Sequence, residues 1–326
     1  MLSSVLLAAS ALRPLPGASP QRIAIYYGYP SLVNGAGGDL ARAVSVFSDY
    51  DVIVLGDGLE FDTVDPHTAG PQEHQFTRLL IRNLRLTPRR PFVYGYVDLG
   101  STQRLSLDEI AGRIGRWARM GAQGVFLDEA GYDFGVTRER QNAAVAAAHA
   151  VGLSACLNAF RPADVFGMAA TPLNAVGGGN PKGLRPAIAA RDAVLLESFA
   201  VRNGVPEPAQ ELAARTRAAL DGRARFGTRV FAVATSEEGP DHAPLAERGW
   251  WTAAAFGLDG YGWGMPAFGA VTSQLPWMPR PDAETVLARA TPVGEVSLRD
   301  GRWQKTTTVG RIVVNTTTGR GALETR

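Results

Sequence analysis

Two acidic residues stand where an ionised carboxylate is costly. Asp128 ends the apolar run Gly124-Val125-Phe126-Leu127, and Glu197 interrupts the apolar run 194–199. A carboxylate in or beside an apolar strand is unfavourable unless it is paired or used. Alternation puts Asp128 on the same side as Phe126, and Glu197 on the same side as Leu195. Two carboxylates facing one cleft from different strands are the minimum equipment for cleaving a glycosidic bond. One protonates the leaving oxygen, and the other attacks or activates water. The structural alternatives are a loop-capping role for Asp128 and a buried ion pair with an arginine for Glu197.

Other polar and aromatic residues follow similar apolar runs. Tyr27 closes the first, Asp57 and Glu60 follow the second, and Tyr96 and Asp98 end the third. Glu129 comes directly after Asp128, and Asn158 ends the fifth run. Glu237 and Glu238 follow the seventh, and the eighth carries Asp259, Tyr261 and Trp263. The expected substrate-binding set is Glu129, Asp98, Asn158, Tyr27, Tyr96, Asp57, Tyr261 and Trp263. Tyr and Trp rings supply apolar platforms for sugars. Against this, Asp98 and Asn158 could serve local turn hydrogen bonds, and the aromatics could be core. Glu60, Glu237, Glu238 and Asp259 are weaker candidates, because acidic loop residues are usually just solvated.

Other chemistries lack their signatures. Cys156 is the only cysteine, so no intrachain disulfide or cysteine-based zinc site can form, and its apolar setting reads as buried. The four histidines, His67, His74, His149 and His242, are scattered and include no HExxH. There is no GxGxxG or GxxxxGKS after the first run, and no GxSxG. No cofactor and no metal are therefore expected. Lys+Arg is 33 against Asp+Glu 31, a net charge of +2, and only Lys182 and Lys305 are lysines. That balance gives no basic stripe, so nucleic acid is not an expected partner.

The elements that must position these residues recur regularly. Apolar, β-branched and aromatic runs cover 23–29, 51–55, 91–97, 124–128, 153–158, 193–199, 229–234 and 256–263. Their starts advance by about 33 residues, which suits one strand plus one crossover helix. They are apolar on both faces, as buried parallel strands are. Helical spacing fills 38–48, 72–86, 137–151, 208–226 and 243–255, with Trp250 and Trp251 expected in the core. Ser106-Leu107-Asp108-Glu109 is a capping box that opens a helix to Met120, and Gly121 is its C-cap. The fifth crossover, 161–190, is irregular and holds Gly177-Gly178-Gly179. Asp300-Gly301 marks a hairpin turn near the end, and 310–317 a further strand. The expected fold is α/β: a (β/α)8 TIM barrel over 22–288 with a small C-terminal β appendage over 289–326. A doubly wound open sheet is the competitor.

The fourth-strand segment Gly124-Val125-Phe126-Leu127-Asp128-Glu129-Ala130 resembles the motif of spherulin-like glycoside hydrolases and endo-α-1,4-polygalactosaminidases. The third-strand stretch 94–100 and Glu197 in its apolar-Glu-Ser-Phe setting are also similar to that family. So is the tail Gly301-Arg302-Trp303 with Gly310-Arg311-Ile312-Val313-Val314-Asn315 to the β tails of barrel glycosidases. The resemblance implies a (β/α)8 enzyme that cuts galactosamine-containing polysaccharide. It makes Asp128 the nucleophile or its stabiliser and Glu197 the general acid/base, with Glu129 and Asp98 positioning substrate. A non-catalytic carbohydrate-binding or cell-surface barrel is the alternative, and a barrel lyase or isomerase a third reading. Residues 1–21 begin with an apolar stretch without a positive leader, readable as an export signal or a disordered start. That stretch is too short to span a membrane, and no later one is long and apolar enough to do so. The expected protein is a secreted monomer acting on polysaccharide.

Overall fold

The computed structural model describes residues 17–56, 58–64, 68–235, 242–264, 268, 274–275 and 281–325. Asp57, His67, Glu237, Glu238 and the apolar N-terminal stretch 1–16 lie outside the described residues.

Eight parallel strands close into a barrel. They alternate with helices along the chain. β1 (Gln21–Tyr26) is followed by α1 (Leu40–Phe47), β2 (Val52–Leu55) by α2 (Gly70–Leu84), and β3 (Phe92–Asp98) by α3 (Leu107–Met120). β4 (Gly124–Asp128) leads to α4 (Arg138–Ala150), and β5 (Ser154–Asn158) to the short α5 (Pro162–Phe166). β6 (Ala193–Leu196) runs into a two-stranded hairpin, β7 (Val201–Arg202) and β8 (Val205–Pro206), and then α6 (Ala209–Phe226). β9 (Arg229–Thr235), α7 (His242–Phe256) and β10 (Gly260–Gly264) complete the ring, with β10 paired to β1. The short α8 (Glu284–Leu287) lies under it, where Glu284 makes a two-pronged pair with Arg22 of β1. Closure removes every sheet edge, which rules out the open doubly wound sheet.

The sequence pattern explains the layers. Ile23, Val54, Phe126, Cys156 and Leu195 belong to one apolar cluster inside the barrel, and the residues between them pack outward on the helices. Trp117 of α3 is fully buried on β3, where Gly95 leaves it room. Its indole N–H donates to the Tyr96 carbonyl at 2.9 Å. The capping box forms: the Ser106 hydroxyl accepts from the Glu109 amide, and Glu109 answers on the Ser106 amide at 2.7 Å. Gly121 ends α3 at φ 94°, as a left-handed C-cap requires.

Three elements differ from the sequence reading. The eighth strand begins at Gly260 rather than 256, because α7 continues through Phe256 and turns at Gly257 (φ 68°). The β7–β8 hairpin turns on Asn203-Gly204, both at positive φ, a signal the sequence carried and the reading passed over. The C-terminal sheet has four antiparallel strands: β11 (Pro292–Arg299), β12 (Arg302–Thr307), β13 (Gly310–Asn315) and β14 (Gly321–Thr325). β14 was not anticipated. Trp303 packs on Phe256 of α7 with centroids 5.0 Å apart, and Val296, Ile312 and Val314 join the same apolar cluster.

Candidate active site

Asp98 and Asp128 are the last residues of β3 and β4 and pair across the sheet. Asn158 ends β5, and Glu197 follows β6. All four therefore gather at the carboxyl ends of neighbouring strands, the end of a barrel where chemistry resides. Asp128 and Asn158 keep the inward parity set by Phe126 and Cys156.

One side chain joins the pair. The Asn158 amide nitrogen donates to Asp128 Oδ1 at 2.7 Å and to Glu197 Oε1 at 2.6 Å. Both bonds end on one nitrogen, so the two facing oxygens are at most about 5.3 Å apart. A cavity of about 140 Å³ opens beside them, lined by Asp128, Glu129, Phe134, Asn158, Phe160 and Glu197. The Asn158 side-chain oxygen Oδ1 is buried and accepts no hydrogen bond among the described residues.

The two carboxyls differ in their support. Burial pushes the Asp128 carboxyl up, but it accepts from Asn158, from the Glu129 amide at 2.9 Å and from the Tyr96 hydroxyl. Burial also pushes Glu197 up, and the charges of Asp128 and Asp133 push the same way. Its main support is the Asn158 bond, with Arg215 a weaker, opposing charge. Asp128 is thus the better-held anion and Glu197 the better proton carrier. Tyr27 lies across the mouth, its ring 5.2 Å from that of Tyr96. Burial first, then Asp128, Tyr96 and Glu197, push its phenol well up, so it stays a hydroxyl donor.

Both strand exits are bent. Glu129 (φ 51°) and Ser198 (φ 50°) sit in the left-handed region directly after the two carboxylates. Such backbone persists only where the surroundings impose it. At β4 the Glu129 carboxylate binds the Thr102 amide at 3.0 Å and the Thr102 hydroxyl. At β6 the Arg215 guanidinium donates to the Glu197 carbonyl at 2.7 Å and the Ser198 carbonyl at 3.0 Å. Glu207 holds that guanidinium through both oxygens, at 3.2 and 2.6 Å.

Several expected residues have other places. Glu129 borders the cavity, but its carboxylate is spent on Thr102. Asp98 is fully buried, and its carboxyl is supported by the backbone at Gly100 and Gln103. Burial, then the charges of Glu129 and Asp128, push its carboxyl up to about 6. It acts on its neighbours by charge and does not line the cavity. Tyr261 and Trp263 do not reach the mouth: both pack in the layer between barrel and helices. The physical reason is parity, since the inward positions of β10 are Gly260, Gly262 and Gly264. Asp259 precedes β10 at the opposite end and accepts from the Val230 amide and from Arg223 and Arg229. Glu60 lies outside the barrel, paired with Arg113 at 3.5 Å. Cys156, Trp250 and Trp251 are buried, as the sequence implies.

Phe134 and Phe160 were missed. Phe160 continues the inward parity of Cys156 and Asn158, which was a usable signal. The Arg202 and Arg215 guanidinia lie 4.4 and 4.8 Å from its ring centre. Among the described residues, no group of three or more potential ligating side chains could hold a metal ion. No described helix is long and apolar enough to cross a membrane.

No family model matches the chain, and no curated protein matches it. Solved structures are similar at low identity. A type I 3-dehydroquinate dehydratase from Clostridium difficile is 8% identical, with a TM-score of 0.47, over 86% of this chain and 95% of that one. An endoglucanase is 10% identical at 0.47, over 83% and 97%. A Bacteroidetes-affiliated GH5 cellulase is 9% identical at 0.45, over 82% and 89%. The architecture rests on the chain's own closed ring of eight parallel strands.

Proposed function

We propose that the protein is a retaining glycoside hydrolase that cuts within a polysaccharide. The observation that carries this reading is the Asn158 amide bridging Asp128 and Glu197 at 2.7 and 2.6 Å. Retaining enzymes hold their carboxyls about 5–5.5 Å apart, whereas inverting ones need roughly 6.5–9.5 Å to admit water. A bound of about 5.3 Å on the facing oxygens suits the first. A non-catalytic sugar-binding barrel would have no need of two desolvated carboxyls so close together.

In this reading Asp128 Oδ attacks the anomeric carbon while Glu197 gives its proton to the glycosidic oxygen. The carbon–oxygen bond breaks, and the leaving chain departs as an alcohol. Ionised Glu197 then takes a proton from water, whose oxygen displaces Asp128 from the sugar and restores both groups. The free Asn158 side-chain oxygen Oδ1 is suited to accept a substrate hydroxyl. Among the described residues, three carboxylates and no cationic side chain line the cavity, which suits an amino sugar such as deacetylated galactosamine. Export accompanies this activity, with the apolar N-terminus as its sequence signal.

The test separates the two roles. Asp128→Asn is expected to abolish cleavage of polysaccharides and of aryl glycosides with good leaving groups. Glu197→Gln is expected to abolish the first but to keep a burst of aryl release on the second, because a good leaving group needs no proton whereas freeing the sugar from Asp128 still needs the base. Wild-type rates in either variant on polysaccharide would remove the assignment.

A further inference from the structure

A second cavity, of about 160 Å³, lies outside the barrel between α2 and α3. Its walls include Glu60, Asp62, His74, Arg78, Arg116 and Arg119. None of these residues lines the carboxylate cleft. We propose that this cavity binds a phosphate dianion, free or carried as a phosphoryl group, through Arg78, Arg116 and Arg119.

Charge is the first argument. Among the described residues, the three lining arginines and adjoining Arg113 stand against two carboxylates, Glu60 and Asp62, an excess of two positive charges. Glu60 is already engaged: its side chain is wholly buried and pairs with Arg113 at 3.5 Å. Among the described residues, no carboxylate lies within ion-pair distance of Arg78, Arg116 or Arg119. Converging guanidinium groups repel one another unless an anion sits between them.

Preorganisation is the second argument. The Arg116 guanidinium lies over the Phe61 ring at 4.8 Å, and Arg113 over the same ring at 5.1 Å. A ring fixes the plane of a guanidinium without using its N–H donors. His74 is held in place by its Nδ1, which donates to the Leu59 carbonyl at 3.0 Å. Planar forks with unused donors match the oxygens of a tetrahedral anion in a bidentate way.

The experiment titrates the full chain calorimetrically, at fixed ionic strength, with inorganic phosphate and in parallel with glycerol 3-phosphate. One saturable site is expected. Arg78→Gln and Arg116→Gln should each weaken it at least tenfold. Arg82→Gln, exposed on α2 and outside the cavity, should leave it unchanged. Tighter binding of the free ion or of the monoester supports the proposal in either case and identifies the source of the phosphate. Absence of saturable binding with both probes would overturn it. So would equal weakening by Arg82→Gln, since that describes diffuse attraction to a basic face. The outcome is independent of the glycosidase reading.

Discussion

Asn158 and Asp98 divide the work at the mouth by what they can offer a charge. Asn158 gives both N–H bonds of its amide to carboxylates, whereas the backbone support of Asp98 at Gly100 and Gln103 does not offset its burial. A buried acid in that position is most stable neutral. Its folded value of about 6 lies above the ordinary 3.8, so the fold binds this proton more tightly than the unfolded chain does. The contribution is complete below about pH 4 and is lost as pH rises to about 6. Its size is roughly 3 kcal/mol, from about two pH units at 1.36 kcal/mol each. Asp98→Asn is accordingly expected to be more stable than the wild type at pH 7, with the gap closing near pH 4. Denaturant unfolding at both pH values checks this, and an unchanged gap would show that the Asp98 charge is well solvated. At this scale the sequence was informative where burial itself was the signal. Asp128 and Glu197 stood out because they broke apolar runs. Glu129 stood equally close to the chemistry by position, but its left-handed backbone turns its carboxylate onto Thr102. Nothing in the local sequence announces that turn.

The strands and helices were legible because their periods differ and their ends are punctuated. The capping box at Ser106 and the left-handed Gly121 bracket α3 where the sequence placed them. β10 was harder to read. Its aromatics, Tyr261 and Trp263, drew attention to the wrong face, while the glycines between them mark the inward positions. There the barrel interior is filled from neighbouring strands: a Cβ on Gly262 would lie 2.7 Å from the Ile23 carbonyl oxygen and 3.1 Å from Val233. Gly95 plays the matching part on the outer face, since a Cβ there would lie 1.9 Å from the Trp117 ring. Gly95→Ala must displace a wholly buried indole that is hydrogen-bonded to the Tyr96 carbonyl. A loss of about 1–3 kcal/mol is expected from such overpacking, read as a lower denaturation midpoint. An unchanged midpoint would mean that Trp117 can move freely. Because Tyr96 also supports Asp128, activity should fall with stability.

Across the whole molecule, near-neutral net charge conceals an uneven arrangement. Carboxylates gather at the carboxyl ends of β3, β4 and β6, and arginines are spread over the helices, with Arg78, Arg116 and Arg119 of α2 and α3 lining one cavity. The C-terminal sheet completes the outer layer against α7. Arg248 of α7 donates to the Thr316 and Thr317 carbonyls at 2.7 and 2.6 Å, and Trp303 packs nearly fully buried on Phe256. Trp303→Ala should cost about 3–5 kcal/mol and lower the melting temperature of the whole chain in one transition. A separate, earlier transition would instead make the sheet an independent unit. The sequence showed the sheet through its Asp300-Gly301 turn but not its seat on α7, because long-range packing leaves no local pattern. The central claim is that Asp128 and Glu197 together cleave glycosidic bonds. The most direct measurement is the release of new reducing ends from a panel of amino-sugar and neutral polysaccharides by the wild type and by Asp128→Asn. The pair predicts release from at least one amino-sugar polymer by the wild type and none by the variant. No release by the wild type from any polymer, or equal release by both proteins, would contradict it.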